Sequence, residues 1–257
     1  MNKQTPRPPG RLVDIEAHRL HLHCAGDGAP TVFDATLAAC SLSWSRVQPS
    51  IARVTRACAY DRAGFGWSEG GLMPRTAGRI ADELHQLLEI AAVPGPYILV
   101  GHSYGGLVMR VFAARHAAAV AGLVLIEPAI PEEWVTPSPE QHALIRRGVR
   151  LCRCGAGAAR FGVKMKGFSR RCGSCRPKRV SQSAAEMLRE THENLVDMPL
   201  IVMSSSAARE RRIAADLALA KQSRRGRHIV VPESGHWVPL DAPQAVIDAI
   251  VDIVPTR

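Results

Sequence analysis

The segment that most constrains the fold is residues 97–106, which read Tyr-Ile-Leu-Val-Gly-His-Ser-Tyr-Gly-Gly. Its four leading residues form an apolar run that follows a Pro-Gly-Pro sequence, and this pattern predicts a buried strand. Residues 107–116 are apolar without an internal helix breaker and predict a helix. A Gly-x-Ser-x-Gly sequence between a strand and a helix is typical of a sharp turn that exposes its serine, here Ser103.

A serine at such a turn can act as a nucleophile. Its hydroxyl needs a base that takes the proton and donors that stabilise the developing oxyanion. The N–H of Tyr104 lies in the turn that leads into the predicted helix, at its N-terminal end, where it can point at negative charge. We expect bulky side chains at Gly101 and Gly105 to collide with the strand or the helix. The alternative is a glycine-rich turn in which Ser103 has no chemical role.

Strand and helix patterns alternate along most of the chain. Strands are predicted at residues 11–18, 19–24, 30–36, 54–60, 97–100, 122–128, 199–203 and 227–232. Helices are predicted at residues 76–91, 107–116 and 207–222, with a last helix that begins at Asp241 and has Gln244 at capping-box spacing. This alternation predicts an α/β fold: a mostly parallel, twisted sheet of about eight strands with helices on both faces. Functional groups are expected at the carboxyl ends of the strands.

Residues 129–196 interrupt this alternation and are predicted to form a lid insertion. We assign residues 1–10 to a flexible tail and residues 11–128 and 197–257 to the core domain, which suits a chain of 257 residues. The formal net charge is +10, yet 12 of the 33 lysines and arginines lie within residues 146–179. That segment could attract an acidic ligand, anionic lipid or nucleic acid, or be a solvated surface. No nucleic acid is expected to be obligatory.

The cysteines and the chain's hydropathy bear on the compartment. No apolar run approaches the ~18 residues of a membrane-spanning helix, and the first residues lack the apolar region of a signal peptide. We therefore expect a cytoplasmic protein with reduced thiols. Cys24, Cys40 and Cys58 are expected to be small core residues. The cysteine pairs at 152/154 and 172/175 could hold zinc, but free thiols are the simpler expectation, and no metal or cofactor is predicted.

The candidate base is His236. It follows the final predicted strand in the sequence Glu-Ser-Gly-His-Trp, where Gly235 allows a tight turn that exposes the imidazole. Imidazole is the side chain best suited to general base catalysis near neutral pH. His102 is adjacent to Ser103, but its side chain is expected to point away from the serine and to pack in the core.

Three segments, residues 61–68, 101–106 and 234–237, resemble the α/β-hydrolase fold superfamily of esterase-like and lipase-like proteins, in the family's order along the chain. The resemblance covers residues 11–128 and 197–255. It implies a Ser–acid–His triad with the acid between the other two in sequence.

The acid of that triad has two candidates. The family most often places it in a Gly-x-x-Asp loop after the strand that corresponds to residues 199–203. Here the loop has neither the glycine nor the aspartate. A minority arrangement places the acid one strand earlier, where Glu127 stands, and a buried carboxylate needs a partner such as an imidazole. We therefore predict Glu127, with Glu210 as the alternative.

The resemblance also implies a second oxyanion donor after the third strand, which by position is the N–H of Leu37. The family has small or glycine-rich residues in this loop, whereas this chain has side chains at Thr36 and Ala38, which restrict the backbone. We expect a serine hydrolase that cleaves a small-molecule carboxylic ester, or a related acyl bond, through an acyl-enzyme. The alternative is a catalytically weak or inactive binding protein of the same fold.

Overall fold

The computed structural model describes residues 9–132 and 195–255, together with residues 139 and 143. Most of the predicted lid lies outside these residues, and so do the basic segment 146–179 and the cysteine pairs at 152/154 and 172/175. Among the helices that are described, none is both long and apolar enough to cross a membrane.

An eight-stranded sheet forms the centre of the described structure. The strands are β1 (Arg11–Asp14), β2 (Arg19–Ala25), β3 (Pro30–Asp34), β4 (Arg56–Tyr60), β5 (Tyr97–His102), β6 (Val120–Ile126), β7 (Leu200–Ser205) and β8 (Gly226–Val231). Their order in the sheet is β1-β2-β4-β3-β5-β6-β7-β8. The β1–β2 and β2–β4 pairs are antiparallel and all the other neighbours are parallel. The predicted mostly parallel sheet of about eight strands is confirmed.

Helices cover both faces of the sheet, as predicted. They are α1 (Gln48–Ile51), α2 (Ala77–Ile90), α3 (Tyr104–Arg115), α4 (Glu210–Ala220), α5 (Val238–Asp241) and α6 (Pro243–Val251). On one face α2 and α3 pack against a core that includes Leu99, and on the other α1 and α6 pack against a core that includes Val100. Successive strand residues point to opposite faces, so a strand with helices on both sides is a continuous apolar run.

The last helix begins later than its sequence pattern predicts. The predicted capping box of Asp241 and Gln244 is wrong, because α6 starts at Pro243 and no side chain caps its first turn. Proline is favoured at the first position of a helix, where its missing N–H costs nothing. The Asp241 carboxylate instead accepts a hydrogen bond from the N–H of Gly235 at 3.1 Å. The residue therefore stabilises the loop that carries His236.

Two cysteines correct the expectation of reduced thiols. Cys24 on β2 lies directly opposite Cys58 on β4, with their Cα atoms 4.0 Å apart, and the two form a disulfide. Directly opposed residues of antiparallel strands have their side chains on the same face of the sheet and close together. The pairing depends on the register between two strands, which no local pattern encodes. Cys40 is free and buried, as expected.

Candidate active site

Ser103 occupies a sharp turn between β5 and α3, at the carboxyl end of the sheet. Its φ of 55° and ψ of −114° lie in a region that side-chain-bearing residues rarely adopt. The turn is held by its backbone: the N–H of Ser103 donates to the carbonyl of Ile126 at 2.9 Å, and its carbonyl accepts from the N–H of Ala129 at 3.1 Å. Such strain persists where surrounding contacts over-determine the backbone, which is common at functional sites.

Two glycines allow the close packing at this turn. A Cβ atom at Gly101 would lie 2.6 Å from the carbonyl oxygen of Gly105, and one at Gly105 would lie 2.4 Å from the carbonyl oxygen of Asp34. Both obstacles are backbone atoms, which cannot rotate away as a side chain could. The collision expected from the sequence is therefore confirmed, and the first turn of α3 is in direct contact with the end of β3.

Substitution of one of these glycines tests the packing. We expect Gly105→Ala to lower the free energy of unfolding by about 1–3 kcal/mol, because an extra methyl group must displace backbone. Urea denaturation measures this change. The matched control is Gly70→Ala, since no atom lies within 4 Å of a Cβ added at Gly70. Equal losses in the two variants would contradict the packing argument.

The structure brings Glu127 and His236 together. Nδ1 of His236 lies 3.2 Å from Oε2 of Glu127, although the two residues are 109 positions apart. Glu127 directly follows β6, is only 6% exposed and has a φ of 47°. Its other oxygen, Oε1, accepts a hydrogen bond from the N–H of Ser205 at 2.7 Å. Glu210, the alternative acid, is exposed on the first turn of α4.

These contacts determine the charge of Glu127 and the roles of the imidazole nitrogens. Burial would raise the pKa of the Glu127 carboxyl, but hydrogen bonds from His236 and Ser205, with the charges of His236 and Arg212, lower this pKa to about 2. The carboxylate is therefore ionised near neutral pH and accepts the Nδ1 proton. In the neutral imidazole the lone pair then lies on Nε2, which is the atom available to take a proton from a nucleophile.

His102 is buried in the core and also makes a specific hydrogen bond to the loop of His236. Its ring is fully buried, and Nε2 lies 2.7 Å from the backbone carbonyl of His236. A carbonyl can only accept, so this nitrogen carries a proton and donates it. Burial, and to a smaller extent the charge of His236, lower the pKa of the His102 imidazole to about 3, so the ring is neutral. His102 therefore ties the strand before Ser103 to the loop of His236.

A pair of substitutions at His102 tests this link. We expect His102→Phe to lower the free energy of unfolding by about 1–3 kcal/mol, because the buried carbonyl of His236 loses its donor. His102→Gln retains a donor near the position of Nε2 and should recover most of the loss. Urea denaturation of both variants measures it. A phenylalanine variant as stable as the wild type would contradict the link.

The loop after β3 has an unusual backbone. Leu37 is half-buried there, while Tyr104 is buried at the start of α3. Ala38 has a φ of 62°, so the loop takes up a left-handed conformation without a glycine.

In the described residues no hydrogen bond joins the Ser103 hydroxyl to the His236 ring. Catalytic contacts are often loose in ligand-free structures and tighten when substrate is bound.

No metal centre is visible in the part of the chain that the structure describes: no group of three histidine, cysteine, aspartate or glutamate side chains there could hold an ion. The sequence predicts Ser103, Glu127 and His236 as site residues, and the structure brings Glu127 and His236 into contact; the sequence did not predict the hydrogen bonds made by His102 and by the N–H of Ser205. Nothing in the local sequence could have indicated either contact, because each one joins different strands or loops.

Sequence comparisons place these observations among known proteins. A model described as the alpha/beta hydrolase family matches residues 20–249. The uncharacterized protein YqjL of Bacillus subtilis is 28% identical over 237 residues, which are 88% of this chain and 83% of YqjL. The uncharacterized protein C23C11.06c of Schizosaccharomyces pombe is 43% identical over 81 residues. That match spans 32% of this chain and only 15% of the yeast protein.

Solved structures share the fold over nearly the whole chain. A thermophilic esterase from Thermogutta terrifontis superposes with a TM-score of 0.71 at 21% identity, covering 95% of this chain and 97% of the esterase. The epoxide hydrolase CorEH superposes with a TM-score of 0.68 at 21% identity, with the same two coverages. At this identity the likeness concerns the fold alone, and the two proteins are named for different chemistries.

Proposed function

This chain belongs to the alpha/beta hydrolase family, and on that premise we propose that it is a serine hydrolase of carboxylic esters or related acyl compounds. The observation that carries the proposal is the contact between Nδ1 of His236 and the buried carboxylate of Glu127. It gives the imidazole a fixed tautomer and a compensating charge. The strained turn at Ser103, at the end of β5 beside the strand that precedes Glu127, supports the same assignment.

The reaction follows from these roles. The Ser103 hydroxyl attacks the ester carbonyl while Nε2 of His236 takes its proton. The N–H groups of Leu37 and Tyr104 stabilise the oxyanion of the tetrahedral intermediate. The imidazolium, stabilised by Glu127, then gives its proton to the departing alcohol. Water, deprotonated in turn by His236, hydrolyses the acyl-enzyme and releases the acid.

The nucleophile's chemistry favours acyl transfer over epoxide opening or dehalogenation. Attack of a serine on a saturated carbon would leave an ether, which has no carbonyl for water to attack. A carboxylate nucleophile would leave an ester, which water can hydrolyse. Because position 103 is serine, we propose that the substrate is a small molecule with an ester, or less readily an amide or lactone.

Two experiments test the proposal. A fluorophosphonate probe should label the wild-type protein once per chain, as read by intact mass, because such probes capture activated serines. A panel of nitrophenyl esters of increasing acyl length should then be hydrolysed with one preferred length, which would define the substrate class. A folded protein that neither reacts with the probe nor hydrolyses any of the esters would contradict the proposal.

A second candidate function is a binding protein with the same fold and little catalysis. Two observations favour it: the left-handed Ala38 in the proposed oxyanion loop and the absence, among the described residues, of a hydrogen bond from the Ser103 hydroxyl to His236. It predicts that esters or their acids bind and raise the melting temperature while no acyl-enzyme forms. The fluorophosphonate experiment separates the two candidates.

A further inference from the structure

A buried guanidinium contacts the loop after β3 (residues 35–39), which carries the proposed oxyanion donor Leu37. Arg62 follows β4 and is only 3% exposed. Its Nη2 donates to the carbonyl of Ala35 at 2.8 Å and to that of Thr36 at 2.5 Å. Its Nε lies 3.3 Å from Oδ1 of Asp34. Three successive residues at the end of β3 therefore bind one side chain.

The contact with Thr36 reaches the proposed oxyanion donor directly. The carbonyl of Thr36 and the N–H of Leu37 belong to the same peptide group, which is planar and trans. In a trans peptide these two bonds point in opposite directions, so a donor that holds the oxygen also aims the N–H away from itself. The hydrogen bond comes from a cation, which makes it strong, and it polarises the peptide so that the N–H becomes a better donor.

The same guanidinium packs against the other proposed donor. The Cζ atom of Arg62 lies 5.1 Å from the ring centroid of Tyr104 and 5.3 Å from that of Phe65, within the range of cation–π contacts. Tyr104 supplies the second N–H of the oxyanion hole. One side chain thus contacts both segments whose amides must converge on a single oxygen atom.

The loop needs such a restraint because its sequence does not supply one. Residues 34–39 contain no glycine, and Ala38 nevertheless adopts a left-handed φ of 62°. For a residue other than glycine this conformation costs roughly 1–2 kcal/mol, and it persists only where neighbours enforce it. Arg62 contacts residues 34–36, the last of which is two positions before Ala38.

We infer that Arg62 is a positioning residue of the oxyanion hole: it orients and polarises the Thr36–Leu37 peptide and aligns that peptide with Tyr104. The inference rests on the proposed function, because it assumes that the N–H of Leu37 stabilises an oxyanion. It accounts for how a loop without glycine can present that N–H. It assigns Arg62 no contact with the substrate.

The kinetic test uses Arg62→Lys and Arg62→Gln, with turnover expressed per serine titrated by the fluorophosphonate probe. We expect kcat to fall about 10- to 100-fold, less than the ~10²- to 10³-fold loss seen when an oxyanion donor is removed outright, because here the donor is weakened and not removed, while KM changes less than about threefold. The matched control is Arg75→Lys, since Arg75 is also a buried arginine, 1% exposed and paired with Glu83, but lies beside α2. Its kcat should stay within about twofold of wild type.

Two outcomes would overturn the inference. One is an unchanged kcat per titrated serine in Arg62→Gln, because a purely structural arginine lowers the amount of folded enzyme and not the turnover of each site. The other is an equal loss of kcat in Arg75→Lys, which would indicate a general effect of disturbing buried arginines.

An NMR measurement tests the inference without an activity assay. It uses Arg62→Lys, which is less disruptive than the glutamine variant. In ¹⁵N-labelled protein the Leu37 amide proton should move upfield in Arg62→Lys, because its peptide loses polarisation, while amides of α2 stay in place. An unmoved Leu37 signal refutes the inference even if the enzyme is active. If the wild type labels no serine, the proposed function fails, and a shifted Leu37 signal still confirms the orienting contact.

Discussion

Ser103→Ala should lower kcat/KM for the preferred nitrophenyl ester by about 10⁴- to 10⁶-fold and abolish labelling by a fluorophosphonate. The substitution removes the hydroxyl oxygen that forms the acyl-enzyme in the proposed reaction. Rate enhancement from the oxyanion hole and from substrate binding should remain, so the residual rate should exceed that in water. Single-turnover kinetics and intact mass measure the two effects.

A second serine provides a demanding control for this experiment. Ser204, at the end of β7, donates to Oδ2 of Asp216 at 2.7 Å and accepts from Nε2 of His228 at 2.8 Å. With His228 and Asp216 it makes up the three residue types of a Ser–His–Asp triad, but it is fully buried and its proton is held by the carboxylate. Ser204→Ala should keep stoichiometric labelling while destabilising the fold by about 1–3 kcal/mol. Labelling that persists in Ser103→Ala and is lost in Ser204→Ala would overturn the assignment.

Glu127→Gln should lower kcat/KM by about 10³- to 10⁴-fold with little change in KM. The glutamine amide can donate to Nδ1 of His236, which would place the imidazole proton on Nε2 and remove the base. It also leaves the imidazolium without a compensating charge. The matched control is Glu210→Gln, which changes the exposed alternative acid and should stay within about twofold of wild type. The reverse ranking of the two variants would assign the acid to Glu210.

The difference in stability between the wild type and Glu127→Gln should depend on pH. The pKa of Glu127 is lowered in the folded state to about 2, from an ordinary value of 4.5, so its ionisation stabilises the fold above pH 4.5. That contribution is lost as the pH falls towards 2. The wild type should therefore be more stable than Glu127→Gln near neutral pH, and the difference should shrink between about pH 5 and pH 2. Urea denaturation midpoints across this range measure it, and a constant difference would contradict the lowered pKa.

Most of the fold could be predicted from periodicity. Residues 97–100 and 123–126 are continuous apolar runs because their strands bury both faces, and each was identified as a strand for that reason. The helix predicted at residues 76–91 was equally local, since α2 has its apolar residues on one stripe. The start of α6 was misplaced because Asp241 is engaged by Gly235, a contact with a preceding loop that the capping pattern does not include.

Part of the candidate site could likewise be predicted from neighbouring residues, and part depends on contacts between distant segments. The turn at Ser103 could be read from neighbouring residues, since two glycines, a strand and a helix surround it in the sequence. Glu127 could be proposed because the loop directly after β7 contains no aspartate. Its contact with His236 exists only because β6, β7 and β8 are consecutive in the sheet and parallel, so that their carboxyl ends share one edge.

The sequence by itself determined the type of each element, the turn that carries Ser103 and the residue types available to react, because backbone preference and burial pattern depend on neighbours along the chain. Only the tertiary structure decided which distant groups meet: Glu127 with His236, His102 with the His236 carbonyl, Arg62 with the Thr36–Leu37 peptide, and Cys24 with Cys58. These contacts follow from strand order and register. Both are set by the packing of the whole sheet, and no short segment of the chain specifies them.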